Sequence, residues 1–99
     1  MIRVEIKKNS ITVKGHAESS AYGTDIVCAS VSTAVIMSVN QIDLFGKAHC
    51  IDASVLEGNA KITVVSEDEI VSKVINNLIF TLKDLELQYP KYIKINEKL

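Results

Sequence analysis

The chain has 99 residues, 47% hydrophobic and 23% charged, with a formal net charge of −1. These values suit one domain over residues 1–99, exclude a disordered chain, and allow a core that needs neither disulfide nor metal. The lysines are spread over both ends and the second half, with no basic stripe for neutralising phosphates, so no direct nucleic-acid partner is expected.

Ile2, Val4 and Ile6 alternate with Arg3, Glu5 and Lys7, and Ile11 and Val13 resume the alternation against Thr12 and Lys14. A period of two predicts two half-buried strands joined by a tight turn at Lys8-Asn9-Ser10. The second strand leads to Gly15 and leaves His16 at the rim of the sheet. Residues 15–24 have two glycines, hydroxyl residues and no periodicity, and read as a loop. Loops on a rigid scaffold are where catalytic groups tend to sit.

Asp25, or Thr24 before it, has the side chain to cap a helix running from about residue 26 to 44 or 45, with Gly46 as its terminator. Val27, Ala29, Val31, Ala34, Val35, Met37 and Val39 lie nearly all round it, which predicts a central helix buried on most sides. Residues 26–42 carry no charge. A spanning helix needs about 20 predominantly apolar residues, and Ser30, Ser32, Thr33, Ser38, Asn40 and Gln41 interrupt this run, so a core helix is expected rather than a membrane partner.

Residues 49–56 read as a strand, 57–59 as a hairpin turn and 60–65 as the partner strand. Ser66 followed by Glu69 has the spacing of a capping box. The helix it would open carries Ile70, Val71, Val74, Ile75, Leu78, Leu82 and Leu85 as one apolar stripe and ends by Pro90. Tyr92-Ile93-Lys94-Ile95 reads as a last edge strand before a charged tail. The order β-β-α-β-β-α-β predicts an α+β fold, a single mixed β-sheet with two helices packed on one face. The other sheet face is then polar or the seat of a dimer.

Cys28 and Cys50 are the two cysteines; no signal peptide precedes them, and a reducing cytoplasm is the simplest setting. A lone cysteine is usually a small buried hydrophobe. Position separates Cys28 from that reading: with Asp25 as cap it is the third helical residue, where unpaired amides and the macrodipole favour a thiolate. His16, twelve positions upstream, is the candidate base if the loop folds back, and Asp25 is either its orienter or only the cap. His49 and Cys50, consecutive on a strand, face opposite ways, and Cys50 reads as structural. The close ligand pairs of a zinc finger and the glycine-rich phosphate loops are both absent, so neither metal nor cofactor is expected.

Gly15-His16-Ala17, Tyr22-Gly23 and Asp25-Ile26-Val27-Cys28-Ala29-Ser30-Val31-Ser32 together resemble the bacterial ribosomal-processing cysteine protease family, Prp. The resemblance implies a cytoplasmic, homodimeric endopeptidase that removes a short N-terminal extension from the large-subunit ribosomal protein usually numbered twenty-seven, at a Phe-Phe followed by alanine. His16 matches the family's catalytic histidine and Cys28 its nucleophile, while Asp25 and Ser32 match recurrent motif positions. Glu18, Ser19, Ser20, Ala21, Tyr22, Gly23 and Thr24 would form the loop that gates substrate. Glu18-Ser19-Ser20 departs from the glycine that commonly follows in the family, which bears on gating and sequence preference. Two rival readings remain: a non-catalytic ribosome-assembly or peptide-binding module, and a thiol redox sensor with Cys50 resolving Cys28.

Overall fold

A computed structural model describes residues 1–15, 22–56 and 58–98, with residues 22–25 described by backbone alone. The alternating N-terminal residues form strands β1 (Ile2–Lys7) and β2 (Ser10–Lys14), paired antiparallel with Val4 opposite Val13 and Ile6 opposite Ile11. The chain continues through helix α1 (Tyr22–Leu44), a 3₁₀ turn at Ala48–Cys50, strands β3 (Ile51–Leu56) and β4 (Asn59–Val64), helix α2 (Glu69–Gln88) and strand β5 (Ile93–Lys98). The sheet order is β3-β4-β2-β1-β5, with β5 parallel to β1 and the other pairs antiparallel.

Each helix joins two strands that run the same way, β2 to β3 and β4 to β5, a connection no tight turn can make. Both helices pack on one sheet face. Ile2, Val4, Ile6, Ile11, Val13, Ile62 and Ile93 meet Val27, Val31 and Val35 of α1 and Leu78 and Leu82 of α2 in one cluster. The predicted α+β architecture and element order therefore hold. They follow from the period-two strands, whose apolar residues all fall on one face, and from helix stripes long enough to cover them.

The helix ends differ from expectation in instructive ways. Gly46 does end α1: at φ 75° it is the left-handed residue of a Schellman cap, its N–H donating to Asp43 at 2.9 Å and that of Lys47 to Ile42 at 2.9 Å. The start lies a turn earlier than Asp25 implies, at Tyr22. Once a helix is nucleated each added residue gains a hydrogen bond, and that outweighs the cost of about 1 kcal/mol for Gly23. α2 is capped by Asp68, not Ser66: its Oδ1 accepts from the amides of Ile70 at 2.8 Å and Val71 at 3.1 Å. Lys47 reaches the other oxygen of Asp68 at 2.8 Å and ties the end of α1 to the start of α2.

Two further expectations are corrected. α1 is not buried on most sides. Val27, Val31, Val35, Ser38 and Ile42 form a single buried stripe, while Ile36 and Met37 are 44% and 55% exposed, because one sheet and one neighbouring helix cover only part of its circumference. His49 and Cys50 are not on a strand but in the 3₁₀ turn, where Cys50 is buried against Ile42 and Val71 and His49 is exposed. Finally, β5 runs to Lys98, taking in most of the charged tail by pairing along the whole of β1.

Candidate active site

The end of β2, the start of α1 and the β3–β4 hairpin converge at one edge of the molecule, because β3 runs parallel to β2. Gly15 marks the exit from β2. Its φ of 110° is one that L side chains rarely adopt, and an added Cβ would run into the Met1 carbonyl oxygen. Its N–H donates to the Gly58 carbonyl at 3.1 Å, fastening the strand end to the hairpin tip. His16 follows directly in the chain but lies outside the described residues, as do Glu18, Ser19, Ser20 and Ala21 of the expected gating loop. Tyr22, Gly23 and Thr24, expected in that loop, are helical.

The earlier helix start moves two expected roles. Asp25 is the fourth residue of α1, so it is not the N-cap; its side chain is outside the described set. Cys28 is the seventh helical residue, in the second turn, where backbone amides are used within the helix rather than left for an oxyanion. The amides without a partner inside the helix belong to the first turn, residues 22–25. A helical side chain leans toward the N-terminus of its helix, so the Cys28 sulfur still points back toward that turn.

Cys28 is half-buried, packs on the edge of the main core, and opens into a cavity of about 250 Å³. Gly15, Ser32, Val55, Leu56 and Asn59 share its wall. Ser32 stands one helical turn beyond Cys28. The neighbouring Ser30 and Ser38 turn their hydroxyls back to the carbonyls of Ile26 and Ala34, each at 2.8 Å, whereas Ser32 lines the cavity. The structure thus brings together Cys28, Ser32 and the residue that precedes His16.

The far wall is what the sequence reading missed. Val55 and Leu56 are 42% and 66% exposed at the hairpin tip and both line the cavity with Cys28, Val55 on the helical face of the sheet and Leu56 at its rim. A signal was present: two adjacent apolar residues break the alternation of a strand and put one of them on the solvent side. A larger hollow of about 840 Å³ lies at the opposite end, between the β1–β2 turn and α2, and neither cysteine lines it.

Cys50 takes no part. It packs against Ile42, fourteen residues along α1 from Cys28, about 21 Å at the helical rise. A disulfide needs Cα atoms within about 7 Å, so the geometry opposes a Cys28–Cys50 redox couple.

Residues 1–94 match the family model described as cysteine protease Prp. The chain is 29% identical to the ribosomal processing cysteine protease Prp of Staphylococcus aureus, over 99% of this chain and 100% of that one. Two crystal structures of an essential ribosomal processing protease Prp from S. aureus superpose on it, each covering 99% of this chain and 100% of the other. The one with a substrate peptide gives a TM-score of 0.87 at 27% identity. The one with a covalently linked product peptide gives 0.84 at 28%.

Proposed function

The chain belongs to the Prp family of cysteine proteases, and from that premise we propose that it is the endopeptidase that removes the N-terminal extension of large-subunit ribosomal protein twenty-seven in the cytoplasm. One observation carries the reading: the Cys28 thiol opens into a cleft whose wall includes Gly15, the point at which the chain leaves β2 for His16. The S. aureus relatives, solved with a substrate peptide and with a covalently linked product peptide, support a cleft that takes a peptide and forms a bond to it.

In the proposed cycle the Cys28 thiolate attacks the scissile carbonyl carbon and His16, protonated, gives its proton to the leaving amine. The C–N bond breaks and a thioester forms. Water then adds to the thioester with His16 as base, the C–S bond breaks, and the acid product leaves, losing its proton to solvent and restoring the thiolate beside protonated His16. The oxyanion is met by the Ser32 hydroxyl, which lines the cleft with Cys28, rather than by the Cys28 amide, which is used within the helix. Val55 and Leu56 hold an apolar substrate side chain, in keeping with a Phe-Phe junction. Asp25, inside the helix, is left the role of orienting His16.

Homodimerisation belongs to the same reading and is supported by the uncovered side of α1. Ile26, Ala29, Thr33, Ile36, Met37 and Asn40 make a charge-free exposed face, the kind of surface that a second copy covers.

The test is incubation with a synthetic peptide spanning the extension junction, followed by mass analysis. Wild type should give two products from one cut, and Cys28→Ala should give none while keeping the wild-type melting temperature. Retained cleavage by Cys28→Ala removes the nucleophile assignment. Binding without products from the wild type leaves the non-catalytic peptide-binding module.

A further inference from the structure

The sheet face turned away from both helices carries Arg3, Lys7, Lys14, Lys61, Lys94 and Lys98, each exposed and each alternating with inward-facing residues of its strand. These are six of the chain's 11 basic residues, and among the described residues the acidic ones that share the face are Glu5 and Asp52. Register concentrates them. Arg3 lies between Lys14 on one neighbouring strand and Lys94 on the other, and Lys7 lies beside Lys98, at a strand spacing of about 4.8 Å. Glu5 is already engaged, by Lys7 at 3.2 Å and Lys98 at 3.8 Å. A chain of net negative charge thus has one strongly basic face.

The polar residues among the cations are Thr12, Ser54, Asn59 and Asn96, and with Arg3, Lys14, Lys61 and Lys94 they line a shallow hollow of about 560 Å³. Protein interfaces are anchored by a desolvated apolar or aromatic centre. Among the described residues the outward positions of these strands offer only Leu56, at the sheet edge. There is likewise no aromatic platform here for stacking single-stranded bases. Cations interspersed with hydroxyls and amides suit a phosphate backbone, and the ribose 2′-hydroxyl gives those hydroxyls and amides a partner that DNA lacks.

We propose that the open face of the sheet is a docking surface for structured RNA, read through its backbone and adjoining the peptidase cleft only at the hairpin tip, where Leu56 and Asn59 lie. This departs from the expectation of no nucleic-acid partner, which rested on the linear spread of lysines. The strands supply what the linear order hides, since residues far apart in sequence lie side by side across β5, β1, β2 and β4.

The experiment is fluorescence anisotropy of the full chain with a labelled RNA hairpin of about 30 nucleotides, between about 50 and 200 mM salt, with the DNA hairpin of the same sequence alongside. Six phosphate contacts predict a slope of log affinity against log salt of about −4 to −5. Lys14→Gln/Lys94→Gln should flatten the slope by about 1.5 and weaken binding about 30-fold at 0.1 M salt. Lys73→Gln/Lys83→Gln, which removes equal charge from α2, should change neither, and both variants should cleave a short peptide at the wild-type rate. The proposal is overturned by no binding at low salt, by equal losses in the two variants, by equal affinity for DNA, or by polyglutamate competing as well as RNA. The last result would instead make the face a dock for an acidic protein segment.

Discussion

Replacing Gly15 by alanine tests whether the fold positions His16, the proposed base, because Gly15 is the last described residue before it. Two costs add. The φ of 110° is outside the regions open to L residues, a strain of about 1–3 kcal/mol. The new methyl group also meets the Met1 carbonyl oxygen closely enough that something must shift, which adds about 1–3 kcal/mol by analogy with overpacking. Gly46→Ala is the internal control, since Gly46 also has positive φ, 75°, but nothing lies within 4 Å of an added Cβ. The control, at a strain of about 1 kcal/mol, should lose about 4–8 °C in melting temperature, and Gly15→Ala, at about 2–6 kcal/mol in all, at least about 8 °C and up to about 40 °C. The functional effect should be larger still. Relief of the clash moves the strand end away from Met1 and from its bond to Gly58, and a displacement near 1 Å at a catalytic group lowers kcat/KM by about 100-fold. Thermal melts by circular dichroism and peptide-cleavage kinetics below both melting temperatures read the two effects separately. Gly15→Ala melting no lower than Gly46→Ala, with unchanged kcat/KM, would refute the claim that this turn positions the base.

Three other outcomes follow from the packing and the charges. Hydrogen bonding from Lys47, then from the Val71 amide, holds the Asp68 carboxyl below its ordinary value of 3.8, so it binds its proton more weakly folded than unfolded. Its stabilisation is present above the ordinary carboxylate range and is lost as pH falls through the lowered folded value. Asp68→Asn should therefore melt below wild type at neutral pH, with the gap closing in strong acid; a constant gap across the titration would sever the link. Leu82, fully buried between α2 and the sheet, should cost about 2–5 kcal/mol on replacement by alanine, read as a lower urea midpoint. Leu56→Asp, on the exposed hairpin ledge of the cleft, should leave the melting temperature alone and raise KM about 10-fold with little change in kcat. A fall in kcat alone would take Leu56 out of the binding wall.

Much of this arrangement was legible before any coordinates. Period-two alternation in residues 2–14 placed two strands and their inner faces, Gly46 marked a helix end, and the stripe from Val71 to Leu85 marked a covering helix. The motif around Cys28 led to the family. Boundaries were harder, because competing local signals have similar energies. Asp25 and Ser66 are both good caps in isolation. α1 nevertheless extends past the first, and Asp68 outcompetes the second with two backbone amides and the Lys47 ammonium.

The sequence by itself determined which residues are apolar at which spacing, and so the number, type and order of the elements and the motif that marks the family. Those properties are local, set by side-chain periodicity and by a short motif. Only the tertiary structure decided what depends on strands distant in the chain becoming neighbours. It set Val55 and Leu56 in the wall of the Cys28 cleft and left half of α1 uncovered. It separated Cys50 from Cys28 by most of a helix and gathered scattered lysines onto one basic sheet face. Pairing register and crossover connections create these adjacencies, and neither can be read from the spacing within any one segment.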